Sequence, residues 1–363
     1  MIIFLALLVT FDVIFNYFSL RFLDASASTI DLVDIVVGAC CFAYLLFAEK
    51  LLKVEVFGAL FFLIIAFSFG PFLQSESSFI FSFGGPFSGL LIVSYYFMAK
   101  IINYARWERF FSLFLYIAFL VSYIWYAFSV KDVFAIGFFN DKSYNFISIV
   151  LIFLSAAVVL SWEDRFWIPF LVLLSTLFIS LLLYTRASVA ISTALFTWFL
   201  LWRLKDLKVL IFACFLIGLL FIGFIYMPDV YESTKFSSNG LDSPRWNMWQ
   251  NYFIAQNWES FLFGVDLTTI ELIKDFNGNP HNTFIRLHSV LGFFGIAFLF
   301  SYLSFALIKL PFFASGILAL MLLRATTDIF LFPGVLDIVF HLAFLTSLNH
   351  NRPQKRFNLG FIE

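Results

Sequence analysis

Residues 143–161 read SYNFISIVLIFLSAAVVLS, nineteen residues without a charge. As a helix at 1.5 Å per residue the run is about 28 Å long, close to the ~30 Å of a bilayer's hydrocarbon core. Similar apolar runs fill roughly 2–20, 30–48, 54–73, 79–99, 110–129, 166–184, 187–202, 207–227, 283–307, 310–327 and 329–348. A membrane barrel would alternate apolar and polar residues over short strands, and these runs do not alternate. The expected fold is therefore all-α membrane, with about twelve transmembrane helices in a single polytopic domain over residues 1–363.

Composition agrees. The chain is 62% hydrophobic and 12% charged, with a mean hydropathy of +0.97; soluble domains run near 45–50% and 25%. A net charge of −1 with no basic stripe excludes nucleic acid as a partner. Cys40, Cys41 and Cys214 are odd in number and all lie inside apolar runs, which argues against both a disulfide framework and a metal site. The first run starts at Met1 without a basic n-region or a small-residue cleavage site, so it reads as a retained helix.

Basic loops stay in the cytoplasm. Numbering the connections alternately, one set carries Lys50, Lys53, Lys100, Arg106, Arg109, Arg165, Arg203, Lys205, Lys208, Lys309, Arg352, Lys355 and Arg356. The short loops of the other set carry only Arg21, Lys131, Lys142, Arg186 and Arg324. Both termini are thereby expected in the cytoplasm, with the one long loop, about 228–282, on the periplasmic side.

That loop carries helix signals. Ser243 and Pro244 suit an N-cap and a first helical position. Trp246, Trp249 and Phe253 then make an aromatic face suited to headgroup depth. Thr268 and Glu271 have capping-box spacing, opening a second short helix that closes near Asn277-Gly278. A long loop that folds back on itself is usually functional, and this one reads as a lid.

Three arginines and a histidine fall on the same membrane face. Arg186 stands at the tight turn between the seventh and eighth runs, Arg245 in the first turn of the loop helix and Arg286 one turn into the next membrane helix. His281 immediately precedes that helix. A cation at a helix N-terminus makes sense when it shares an anion with the free N–H groups, phosphate being the common case; the competing reading is an exposed arginine. Arg186 and Arg286 could equally snorkel to the interface. His281, titrating near neutrality, suits removal of a hydroxyl proton, and otherwise is a polar loop residue. Further intramembrane groups read mainly as glue between helices: Asp337 with His341, Arg324 with Asp328, Asp12 with Asn16, and Asp31 and Asp34 opening the second helix. His288, seven residues past His281, is an outside candidate for a relay.

Four stretches together resemble the O-antigen ligase/polymerase family of bacterial membrane glycosyltransferases. They are Leu183-Tyr184-Thr185-Arg186-Ala187-Ser188, Ser243-Pro244-Arg245-Trp246-Asn247-Met248-Trp249, Phe261-Leu262-Phe263-Gly264-Val265, and Pro280-His281-Asn282-Thr283-Phe284 with Gly292 and Gly295 downstream. Gly137-Phe138-Phe139-Asn140-Asp141 is similar to a further turn of the family, and Asp266 stands where a second glycine often sits. The resemblance implies a donor glycan on undecaprenyl diphosphate, in contact with membrane lipid, and an acceptor that is either a growing glycan or the lipid A core. It implies that Arg186 and Arg245 neutralise the diphosphate and that His281 is the base. Arg286, Trp249 and Asn282 are the expected substrate-binding residues, with no metal and no cofactor. A chain-length regulator is a candidate partner. The reading leans to a polymerase, with a ligase as the alternative and a flippase or transporter as the rival from another class.

Overall fold

The computed structural model describes residues 1–22, 27–69, 84–135, 137–139, 145–183, 185–203, 244–276, 278–334 and 336–350. Among these residues all regular structure is helical. Eight helices come first: α1 (Ile2–Phe22), α2 (Ala27–Phe47), α3 (Lys53–Phe69), α4 (Gly84–Tyr104), α5 (Glu108–Val130), α6 (Asn145–Ser161), α7 (Trp167–Leu182) and α8 (Arg186–Arg203). The loop contributes α9 (Pro244–Ile254), α10 (Trp258–Phe263), a 3₁₀ turn (Leu267–Thr269) and α11 (Glu271–Lys274). Last come α12 (Thr283–Lys309), α13 (Phe312–Ala325) and α14 (Asp337–His350).

Helices thus occupy eleven of the twelve apolar segments. The remaining one, 207–227, lies outside the described residues, as do 228–243 of the long loop. By length and composition four described helices can cross a membrane: Ile30–Phe47, Gly85–Tyr104, Glu108–Val130 and Thr283–Lys309. Others, such as Asn145–Ser161 and Trp167–Leu182, are apolar but shorter.

Helix α6 is the hub. Every residue of α6 from Ile147 to Ser161 is buried, and α5, α7, α8, α13 and α14 pack around it. Ser155, Ala156 and Ala157 keep it slim, which lets neighbouring backbones approach. A second group forms where α1, α2, α3 and α14 pack on α4. The outer helices turn large apolar side chains outward, among them Phe57, Phe61 and Ile64 on α3 and Ile117, Val121 and Trp125 on α5. In water so much exposed apolar surface would drive aggregation; against lipid tails it costs nothing. This is an α-helical, multi-pass membrane protein.

Several local expectations are corrected. Helix α2 starts at Ala27, so Asp31 and Asp34 lie inside it and not in its first turn. Asp34 instead accepts hydrogen bonds from Asn16 of α1 (2.6 Å) and Tyr95 of α4 (2.5 Å). The last membrane helix begins only at Asp337, because that carboxylate accepts the N–H groups of Phe332 (2.9 Å) and Gly334 (3.2 Å) and folds the preceding residues into a loop. Both Asp337 oxygens are thereby used, and His341 has no hydrogen-bond partner among the described residues. Finally, α12 is broken: Gly292 has φ 62° and ψ −168°, far from helical values.

Candidate functional site

The residues around His281 are held by short-range hydrogen bonds. Asn282 is the N-cap of α12, its side-chain oxygen accepting from Phe284 N (2.9 Å) and Ile285 N (3.2 Å). Asn279 accepts the His281 N–H in the same way (2.8 Å). Between these two turns His281 is forced to φ 49°, a left-handed conformation that costs a non-glycine residue of order 1 kcal/mol. Trp249 of α9 donates its indole N–H to the Pro280 carbonyl (3.0 Å), tying the loop helix to the chain just ahead of His281.

The result is that His281 Nδ1 lies 3.5 Å from Asp328 Oδ1. Arg245 reaches the same carboxylate from α9, with Nη2 3.9 Å from Asp328 Oδ2, and donates through Nη1 to the Thr327 carbonyl (2.6 Å). Thr283 closes the arrangement, donating its hydroxyl to the Asp328 carbonyl (2.8 Å) and accepting from Phe330 N (3.3 Å). Burial alone would raise the Asp328 carboxyl. The contact with His281 and the guanidinium charges of Arg324 and Arg245 outweigh burial and hold it below its ordinary value.

A second string of contacts runs from the neighbouring Thr327 to the Thr-Arg turn. Arg324, buried in α13, donates to Thr327 Oγ1 and to Ser188 Oγ (3.3 Å). Ser188 Oγ lies 2.8 Å from Ser148 Oγ of α6, which in turn is 3.1 Å from Thr185 Oγ1. Arg186, the first residue of α8, thus sits between two residues of this network. Its own side chain is partly exposed. Arg286 stands apart: the carboxylates that act on it are Asp31 of α2 and Asp337 of α14.

The loop helices dock on α12 through His288. Its Nε2 is 2.9 Å from the Phe261 carbonyl, which can only accept, so Nε2 carries the proton. Nδ1 then accepts from the Tyr252 hydroxyl at 2.5 Å. With both ring nitrogens engaged by the loop helices, His288 is a latch between them and α12. Two glycines allow the close fit. A Cβ at Gly264 (φ 96°) would come within 2.3 Å of the Ser289 carbonyl oxygen. One at Gly292 would come within 2.1 Å of the Leu262 oxygen. Asp266, in place of a glycine, has φ −67° and caps the 3₁₀ turn by accepting from Thr268 N (2.9 Å). This overturns the Thr268–Glu271 capping box: Thr268 is a donor to Asp266, and the reciprocal box is formed by Asn257 and Ser260 at α10. The second short helix does close as expected, Gly278 at φ 72° donating to the Ile273 carbonyl.

Of the aromatic face, Trp246 and Phe253 point outward, while Trp249 packs on the small core of Met248, Tyr252 and Ile273. Ser243, Tyr184, Asn140 and Asp141 lie outside the described residues. No group of three His, Cys, Asp or Glu side chains converges among the described residues. What the site offers is a histidine beside a carboxylate, with cationic side chains around them.

Arg186, Arg245, His281, His288 and Gly292 all fall within residues 169–300, and this stretch matches the family described as O-antigen ligase. The match covers a little over a third of the chain. No curated protein and no solved structure matches the chain. The O-antigen ligase match ends before Arg324 and Asp328, which sequence reasoning had paired only with each other. Asp328 lies 47 positions after His281 in the sequence, and nothing local to Asp328 announces the partnership.

Proposed function

We propose that the chain is an O-antigen or surface polysaccharide polymerase. It would transfer a glycan from undecaprenyl diphosphate to an acceptor sugar hydroxyl at the periplasmic face of the inner membrane, without a metal. The observation that carries this reading is the 3.5 Å approach of His281 to Asp328, with Arg245 on the same carboxylate. In the reaction the acceptor hydroxyl attacks the anomeric carbon and passes its proton to His281. The C–O bond to the diphosphate breaks, its electron pair leaves with the diphosphate, and the anomeric configuration inverts. Asp328 stabilises the imidazolium that forms, as a carboxylate does beside any catalytic histidine. Arg245 and Arg186 meet the charge that develops on the leaving group. Arg286, Trp249 and Asn282 are assigned to the substrate side, Trp249 and Asn282 by holding the His281 loop in shape. This reading takes twelve membrane spans, cytoplasmic termini and a periplasmic 228–282 loop.

A ligase is the second reading, favoured by the description of the matching family. Surface lipopolysaccharide from a deletion strain, run on a gel, separates the two. Core bearing a single repeat unit identifies a polymerase. Bare core, with long polymer accumulating on undecaprenyl diphosphate, identifies a ligase. Complementation with His281→Ala should fail in either case while the protein reaches the membrane; restored polymer would sink the assignment of His281 as base.

A further inference from the structure

We propose that α10 is a membrane anchor: Trp258 and Phe261, continued by Phe293 and Phe294 of α12, lie in the headgroup boundary of the periplasmic leaflet, and phospholipid is the partner of this face.

The first observation is continuity. Trp258 is 79% exposed, and its ring stands 6.1 Å from that of Phe261. Phe261 in turn is 5.1 Å from Phe293, and Phe293 5.7 Å from Phe294. Phe293 and Phe294 are exposed on α12, a helix long and apolar enough to cross a membrane. The loop helix therefore prolongs an apolar face that already meets lipid. Tryptophan and phenylalanine at such a junction keep ring surface in the acyl boundary, and the indole N–H stays within reach of headgroups and water.

The second observation is depth. A straight α12 would hold Thr283 about 40 Å from Lys309. Yet Thr283 bonds Asp328 and Phe330, which follow closely on the end of α13, and α13 itself rises only about 21 Å. The break at Gly292 reconciles the two lengths. Phe293–Lys309 then rises about 26 Å, near the ~30 Å of hydrocarbon, and Thr283–Leu291 folds back beside it, the rings of Phe284 and Phe300 stacking with centroids 5.2 Å apart. Arg286 and His288 precede the break, and no Asp, Glu, Lys, Arg or His lies between it and Lys309. Helix α10 packs at the break itself, with the Leu262 carbonyl against Gly292 and Gly264 against Ser289. It therefore sits where the hydrocarbon ends. The His288–Phe261 hydrogen bond fixes its position there.

The proposal rests on the membrane orientation assumed for the polymerase, and its test needs neither donor nor acceptor. In a background of Cys40→Ser, Cys41→Ser and Cys214→Ser, a nitroxide is attached at Trp258→Cys, Glu271→Cys or Phe300→Cys. The full chain is then reconstituted in phosphatidylethanolamine–phosphatidylglycerol vesicles. Relaxation of the label by oxygen reports lipid, and relaxation by a nickel chelate reports water. The oxygen-to-nickel ratio should be several-fold higher at position 258 than at 271, and lower than at 300. A ratio at 258 equal to that at 271 places Trp258 in water and overturns the anchor. Protection at 258 from both reagents means that protein covers the face, a second copy or another chain, and overturns it too. A water-like ratio at 300 would overturn the membrane reading of α12 itself, and with it the orientation assumed for the polymerase.

Discussion

The Tyr252 hydroxyl donates to Nδ1 of His288 across 2.5 Å, and the opposite ring nitrogen of His288 donates to the Phe261 carbonyl. One imidazole thus clamps two of the loop helices, α9 through a side chain and α10 through its backbone, onto α12.

Removing one half of the clamp should loosen the loop. Tyr252→Phe leaves a buried ring nitrogen without its donor, at a cost of about 1–3 kcal/mol. Hydrogen exchange should quicken across 244–263 and leave α6 unchanged; equal protection in wild type and variant would refute the clamp.

Asp328→Asn keeps the shape of the site and removes its negative charge. Transfer should fall about 10²–10⁴-fold, mostly in kcat. Because the folded state holds this carboxyl below its ordinary value, the contact stabilises the loop fully above the unfolded pKa near 3.9. That contribution is lost as pH falls through the lower folded value. Wild-type loop protection should therefore decline on acidification below about pH 4, and the Asn variant should lack this component. A variant with wild-type kcat and the same acid profile would contradict both roles.

Asn282 serves α12 through its side-chain oxygen. Asn282→Ala should destabilise the start of the helix by about 1 kcal/mol, and Asn282→Ser or Asn282→Asp should restore most of it. Melting temperatures of the detergent-solubilised protein read this order directly. Failure of Ser or Asp to rescue would mean that the amide is needed for something other than the cap.

Gly292→Ala puts a methyl group against the Leu262 carbonyl at a backbone conformation alanine disfavours. The variant should be destabilised by about 2 kcal/mol or more, whereas Asp266→Gly should lose only the turn cap, about 1 kcal/mol. Comparing the monodisperse yield of the two after solubilisation checks the ranking, and equal yields would refute it.

Much of this was readable in the chain. Apolar runs near twenty residues leave helix as the only lipid-compatible solution, so most segment positions held to within a few residues; the exceptions are 79–99, whose helix runs on to Tyr104, and 329–348, whose helix starts only at Asp337. Arg245, His281 and Gly292 stood out because each sits in a short motif on the expected face. Asp328 did not, because its partners come from α9 and the His281 loop, and contact across such distances leaves no periodic trace. The Thr268–Glu271 spacing misled for a local reason: a carboxylate two residues upstream, Asp266, competes for the same N–H groups and is the stronger acceptor. Asp337 and His341 have pairing distance on one helix face, but backbone donors of the loop reach the carboxylate first.

The break at Gly292 also has a mechanical meaning. No helical hydrogen-bond ladder carries bending stiffness through a residue at φ 62°. When a thicker or thinner bilayer makes Phe293–Lys309 tilt, the joint absorbs the rotation, and the stretch that positions His281 keeps its register against α13. Turnover that stays level across vesicles of graded acyl-chain length is the signature of such a universal joint; turnover that tracks bilayer thickness would show that the strain reaches the histidine.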